Sequence, residues 1–455
     1  MKTKLLVFGF SMFMSIFLHA QTTAIPDANF EQALIDLNID QDKTINGSVA
    51  TADISGVTSL SVRSKNISDL TGIKDFSSLI QLDCSYNQLT SLNVTQNSAL
   101  TKITVYDNQL TTLDVSQKNA LTSLTCPGNQ LTTLDVSQNL DLTSLVCGDN
   151  QLTTLDVSQN LDLTNLRCAG NQLTTLDVTQ ASDLQSLYCS SNQLTSLDVS
   201  QNTNLTELGC GSNQLTSLNI SQNTLLQIFN CSNNQLPTLD ISQNTMLGNL
   251  NCSNNLLTNL SLNPSITYLT CSNNQIQSLD LSQNTYLYLL ECEYNQLISI
   301  DVSHISNIHD LICNNNLLTS LNVKNGNNWG LQQFIATNNP SLPCIDVDNV
   351  TDANNNYGWE KDDTTIYSED CSAMSVEDFN NSTFSMYPNP VSDELIINSN
   401  ENANYLVLNL GGQTLMQGAL TKGENELDLS NLTSGFYFIK VEANERSITK
   451  KFIKA

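Results

Sequence analysis

Leucines recur along most of this chain at fixed places in a unit of 21 residues. Three consecutive units read LTSLTCPGNQLTTLDVSQNLD from Leu121, LTSLVCGDNQLTTLDVSQNLD from Leu142 and LTNLRCAGNQLTTLDVTQASD from Leu163. Around the second Leu and the Cys, apolar and polar positions alternate, the period of a short half-buried strand. Such units stacked at about 4.8 Å form a parallel sheet, with Leu124, Cys126, Leu131, Leu134 and Val136 turned into a shared core. No unit can bury these side chains alone, so stability is expected from stacking. Asn129 and its equivalents form a second regular row. An inward amide at the turn after the strand can satisfy backbone groups that no sheet pairs. The LDVS stretch is expected as an opposite wall, extended or 3₁₀, because 21 residues leave little room for an α-helix. The pattern runs from Leu79 to Asn316 and slips by two residues between Cys252 and Cys271, where Asn263-Pro264 replaces a longer turn. With an atypical unit from Val57 and a degenerate one from Leu331 to Asn339, about fourteen coils are expected.

The consensus L-x-x-L-x-C-x-x-N-x-L resembles that of bacterial leucine-rich-repeat proteins of the internalin-like kind, over residues 57–339. The resemblance implies a mostly β, right-handed solenoid that binds proteins or glycans along a concave face. An open solenoid exposes apolar core at both ends and needs caps. Residues 21–56 read as the N-terminal cap: a short helix opens at Pro26-Asp27-Ala28-Asn29-Phe30, with Asp27 or Asn29 as N-cap and Phe30, Leu34 and Leu37 on one face. Asp40, Asp42 and Thr44 imitate the start of a calcium loop. Ile45 stands where such a loop needs Gly, and Thr51 where it needs an acid, so a plain polar turn is expected. Residues 340–371, with Trp359, Cys344 and Cys371, break the repeat and read as the C-terminal cap.

Composition changes after Cys371. Residues 372–385 read as a polar linker. Residues 386–455 carry short alternating runs separated by turns such as Ser434-Gly435, the pattern of a small C-terminal β-sandwich. Tyr387-Pro388-Asn389-Pro390, Ser434-Gly435-Phe436-Tyr437 and the final Lys450-Lys451-Phe452-Ile453-Lys454 resemble the C-terminal sorting domain of proteins exported by the type IX secretion system. This resemblance implies a partner in that machinery and a destination outside, or on the outer-membrane surface of, a Gram-negative bacterium. Residues 1–20 fit an export signal: Lys2 and Lys4, then an apolar run from Leu5 to Leu18, then Ala20. No later segment is long and apolar enough for a transmembrane helix.

The net charge of −27 and the scarcity of cations bear on function. Between Cys84 and Val323 the only basic residues are Lys102, Lys118 and Arg167. Nucleic-acid binding needs clustered Lys and Arg and is excluded. No nucleophile–base constellation or phosphate-cradling Gly loop is present, so neither an enzyme nor a cofactor is expected. His309 and Cys313 have a spacing that could suit a metal, but Cys313 belongs to the inward row; His304 and His309 read as a surface pair, and no metal site is expected. A row of carboxylates (Asp114, Asp135, Asp156, Asp177, Asp198, Asp240, Asp280, Asp301) reads as solvated. Eleven of the thirteen cysteines hold the inward strand position. Their parallel Cβ vectors, about one strand spacing apart, suit a disulfide poorly. Cys344 and Cys371 lie outside the row and are expected to form the only disulfide.

Variation is concentrated at outward positions beside the fixed Leu and Cys: Arg167, Tyr188, Glu207, Asn230, Asn249, Tyr268, Glu291 and Ile312, with Tyr294 just past a strand. Arg167, Tyr188, Glu207, Tyr268, Glu291 and Tyr294 are the expected ligand-binding residues, since binding surfaces favour such side chains. The chain reads as a secreted or surface protein recognising a protein or glycan, with a self-associating structural component as the alternative.

Overall fold

The computed structural model describes residues 21–372, 384–409, 412–443 and 446–455; the expected export signal and residues 373–383 of the expected linker lie outside them. The chain divides into two compact units between Cys371 and Ser372. In the first, each coil offers a strand of about three residues that pairs in register with its neighbours. Ser123–Thr125 pairs with Ser144–Val146, and that strand with Asn165–Arg167. Fifteen strands, from Ser59–Ser61 to Trp359–Glu360, form one parallel sheet. The middle residue of each faces the core, as Leu124, Leu145 and Leu166 do, fully buried.

So short a strand leaves most of the coil's backbone outside it; backbone bonds between coils pair part of the remainder, such as the Cys126 N–H to the Val146 carbonyl at 2.8 Å, and the asparagine row serves the turn after the strand. The Nδ2 of Asn150 donates to the carbonyls of Cys126 (3.1 Å), Cys147 (3.2 Å) and Gly148 (3.0 Å), while its Oδ1 accepts the N–H of Leu131 at 3.0 Å. One amide thus ties two coils. The residue before it lies in the left-handed region in coil after coil, from Tyr86 (φ 53°) to Asn338 (φ 57°), and is mostly Gly, Asn, Ser or Asp. Gly128 has a second reason: a Cβ there would lie 2.2 Å from the Asp107 carboxylate of the previous coil.

A second asparagine row, not anticipated above, lies ten residues on. Asn160 is fully buried, and its Nδ2 donates to the carbonyls of Val136 (3.1 Å) and Asn139 (2.8 Å). Asn263 makes the same bonds, to Ile241 and Asn244, so the two-residue slip shortens the turn before it and leaves the row unbroken. Lys118 takes the asparagine's place in one coil. It is 1% exposed, its ammonium donates only to the carbonyl of Thr95 at 3.1 Å, and burial lowers its pKa.

The opposite wall differs from expectation. It forms strands only at Ser299–Asp301, Ser320–Asn322, Cys344–Asp346 and Ile366–Ser368. In earlier coils the aspartate row bends the chain instead, its carboxylates capping the backbone two residues on. Asp135 accepts the N–H of Ser137 at 2.9 Å, and the Ser137 bonds hold its pKa below the usual carboxylate value. Asn219 makes the equivalent bond to Ser221. The row is therefore a set of turn formers as well as a solvated surface.

At the N-terminal end, Thr22–Ala24 pairs antiparallel with Ser48–Ala50, beside a helix over Ala28–Asp36. Asp27 is the N-cap, accepting the N–H groups of Asn29 and Phe30; its other oxygen accepts those of Ser68 and Asp69, which ties the helix to the first coil. Phe30 stacks on Phe76 at 6.3 Å. Leu37 departs from the expected apolar face: it sits just past the helix, 44% exposed, because the helix ends one residue earlier. The Asp40–Thr44 segment is a turn in which Asp42 accepts the N–H of Thr44 and the side chain of Asn46.

After Asn339 the repeat signature is lost but the coiling continues, which gives the sheet its fifteenth strand rather than ending it near fourteen. Trp359 takes the inward place, 4.9 Å from Phe334 and 5.7 Å from Tyr367, and its indole N–H donates to Leu331. Cys344 and Cys371 are joined by a disulfide across 27 residues, a loop for which the chain-entropy model gives about 3–4 kcal/mol. The eleven row cysteines are free and buried. Burial pushes the thiols of Cys126, Cys189 and Cys252 up to about 12.

The second unit has two antiparallel sheets. One joins Phe384–Tyr387, Glu394–Ser399 and Gly423–Asp428; the other joins Thr414–Leu420, Ala403–Leu408, Gly435–Ala443 and Arg446–Lys454. Their shared core includes Phe384, Ile397, Val407, Ile439 and Phe452. Asn389 accepts the N–H of Ile453 at 2.8 Å, and Val391 exchanges backbone bonds with Ile453 and Ala455. Tyr437 stacks on Phe452 at 5.7 Å and donates its hydroxyl proton to Thr433 O at 2.8 Å. The three sequence motifs of this region thus meet on its last strand.

Two measurements test this account. Asn150→Ala removes a tie between two coils and is expected to cost about 2–4 kcal/mol, whereas Lys118→Asn, which restores the second row, is expected to gain about 1 kcal/mol. Urea midpoints read both; an unshifted midpoint in Asn150→Ala counts against the row as the frame. Alkylation of the native protein at pH 8 should label none of the row thiols. After denaturation without reductant it should label eleven, leaving one linked peptide pair; labelling of the native row would contradict its burial.

Candidate ligand-binding face

The two outer residues of each three-residue strand face away from the core, so the sheet presents two columns of outward side chains. From Ser123 to Val146 these are small or plain. From Asn165 onward the columns diversify, and the expected residues fall in two regions of the sheet.

The first is Arg167, Tyr188 and Glu207, on three consecutive strands. The Arg167 guanidinium lies 4.6 Å from the centroid of the Tyr188 ring, and the Tyr188 hydroxyl donates to Glu207 Oε2 at 3.0 Å. Ser186 donates to the same oxygen at 3.2 Å, and Arg167 approaches it at 3.9 Å. Tyr188 also overlies Gly209, where a Cβ would sit 2.6 Å from the ring. Burial raises the Tyr188 pKa, and the bond to Glu207 raises it further. These three side chains largely satisfy one another.

In the second, Tyr268, Glu291 and Tyr294 fall on two consecutive coils, and Tyr268 meets residues the sequence reasoning did not select. Tyr288 lies just before the strand Leu289–Glu291, its ring 5.6 Å from Tyr268 and 4.9 Å from His309, nearly parallel to the latter. His309 Nδ1 is 2.9 Å from the Asp310 carboxylate. His304 lies apart, its Nε2 2.9 Å from the carbonyl of Leu281, so the two histidines do not pair. Glu293 stands where most other coils have Ser, Gly or Ala. One of its carboxylate oxygens is shut from solvent without a hydrogen-bond partner, as is the hydroxyl of Ser272 in the previous coil. The equivalent hydroxyls of Ser232 and Ser253 bond Asn230 and Asn251, whereas Thr270 stands two places before Ser272.

A third group was missed entirely: Arg63 lies 4.6 Å from the Tyr86 ring centroid and 5.2 Å from that of Tyr106. Tyr86 and Tyr294 share the left-handed turn position (φ 53° and 55°), a conformation unusual for a bulky residue. That a tyrosine should stand where Gly, Asn, Ser or Asp serves elsewhere was the available signal. Strained positions of this kind gather at functional sites. Cys344 and Cys371 lie away from this face, in the disulfide described above. Among the described residues, no group of three or more His, Cys, Asp or Glu is placed to hold a metal ion, and no helix is long and apolar enough to cross a membrane.

Comparison with known proteins bears on both units. Residues 385–455 match the family model of the secretion system C-terminal sorting domain. The functional domain of InlJ from Listeria monocytogenes, described as including a cysteine ladder, is 28% identical over 96% of this chain and 99% of that one, with a TM-score of 0.63. An internalin, InlF, from the same organism is 20% identical over 76% of this chain and 98% of that one, with a TM-score of 0.56. A leucine-rich-repeat protein of Leptospira interrogans is 24% identical over 68% and 79%, with a TM-score of 0.54. The last two likenesses concern the fold alone. No curated protein matches the chain. The sorting domain indicates secretion or attachment to the outer surface of a Gram-negative bacterium, and interaction with the export machinery. The chain is an internalin-like leucine-rich-repeat solenoid protein with a type IX secretion C-terminal sorting domain.

Proposed function

We propose that the solenoid is a recognition module, not an enzyme, whose sheet face binds a protein or glycan at the bacterial surface. The observation that carries this reading is where the chain varies. Inward positions repeat the same Leu, Cys and Asn, while the outward ones beside them carry Arg167, Tyr188, Glu207, Tyr268 and Glu291. The frame has no need of rings and charges there, since neighbouring coils do without them. Aromatic residues and Arg are what binding surfaces favour. The internalin-like fold, typically non-catalytic, agrees with this role.

Two experiments test the proposal. Deletion of Met386–Ala455 should leave the chain in the periplasm, read by fractionation and surface proteolysis; normal surface display would remove export from the reading. Partners captured from host and bacterial surface extracts should be lost, with melting little changed, in Arg167→Ser/Tyr188→Ser/Glu207→Ser or in Tyr268→Ser/Glu291→Ser/Tyr294→Ser. Each set should weaken binding roughly tenfold or more if it holds a hot spot. Unchanged capture by both would move the site off this face. Concentration-dependent self-association without a saturable partner would favour a structural component instead.

A further inference from the structure

The coils from Cys168 to Val323 contain ten Asp and Glu residues and not one Lys or Arg. An aromatic group on this face can take a cation, and the molecule shows how: Arg63 stands over Tyr86 and Tyr106, and Arg167 over Tyr188. The pair Tyr268 and Tyr288 lies in the cation-free stretch. These rings are 43% and 39% exposed and have no Lys or Arg of their own chain beside them. His309 covers one side of Tyr288 and leaves the side toward Tyr268. Glu291 ends the strand that follows Tyr288, Asp310 opens the next strand of the sheet, and Glu293 lies two places past Glu291.

We propose that the surface formed by Tyr268, Tyr288, Glu291, Glu293 and Asp310 docks a basic polypeptide segment, placing a Lys or Arg side chain over the two rings and among the carboxylates. The inference rests on the reading of this face as a binding surface and names the partner's chemistry. Ring faces attract a cation through their quadrupole. A guanidinium or ammonium offers several donors to carboxylates, in charge-assisted bonds. The one-sign field of these coils steers cationic segments inward and turns polyanions away. A neutral glycan fits less well, because Tyr288 and His309 stack on each other at 4.9 Å rather than forming an open platform.

The test uses the full secreted chain and a fluorescent peptide of alternating Lys, Arg and Gly, with its Gln-for-Lys/Arg counterpart as control. The basic peptide should bind, more weakly as salt rises, and the control should not. Glu291→Gln/Glu293→Gln/Asp310→Asn should weaken binding roughly tenfold, three half-buried charges each contributing at about the surface scale. Asp177→Asn/Asp198→Asn/Asp240→Asn removes as much charge from the opposite wall, where Asn219 shows that the amide keeps the turn, and should change affinity less than about twofold. Tyr268→Leu/Tyr288→Leu should weaken binding without altering its salt dependence. Equal losses in the two charge variants would mean unlocalised attraction and overturn the site, as would a neutral oligosaccharide displaced by the same substitutions. If the peptide does not bind while the serine variants of this group still lose their captured partner, the cationic assignment falls and the binding face stands. If the serine variants also retain capture, both fall.

Discussion

The solenoid depends on a carboxamide pointing inward once per turn. Strands of three residues leave most of a 21-residue coil without ladder partners, and buried N–H and C=O groups left unpaired would cost more than stacking returns. An asparagine at the end of each strand donates to carbonyls of its own coil and of the coil before, and accepts an N–H from the latter. It demands an inward position, a turn in the left-handed region just before it, and a neighbouring coil one strand spacing away. The regular spacing of Leu and Cys is the apolar counterpart of that demand. The second asparagine row holds the far side of the coil in the same manner, which is why the shortened coil at Asn263 omits turn residues and keeps the amide.

With the frame settled by inward residues, the outward columns vary without penalty to the fold. The face is accordingly uneven. Near its start Arg63 sits against two tyrosines; in its middle Arg167, Tyr188 and Glu207 close on one another; toward its end rings and carboxylates stand without a Lys or Arg. The same chemistry is complete within the chain at two places and incomplete at the third. Incompleteness of that kind distinguishes a surface awaiting a partner from one already paired.

The buried cysteines belong to this logic. A thiol in the inward column packs as a small hydrophobe, and burial holds it protonated and unreactive in an oxidising environment. The cysteines outside the column, Cys344 and Cys371, are the ones joined, where the repeat signature fades and Trp359 replaces leucine as the inward residue.

The sequence by itself determined the solenoid, the first asparagine row and the small antiparallel unit at the C-terminal end, because each is a matter of periodicity or of motifs local in the chain. It also named residues of the variable face, since these stand out against a constant background. The second asparagine row is written just as plainly, but its burial follows from the bend that each aspartate of the LDVS wall makes, which an extended or 3₁₀ wall does not imply. Only the tertiary structure decided which face residues meet. Tyr288 and His309 are 21 residues apart and stack because consecutive coils place equivalent positions about one strand spacing apart. Tyr188 reaches Glu207 rather than solvent because Gly209 leaves room beneath its ring. Contacts between coils depend on side-chain size and direction across a gap that no pattern along the chain records.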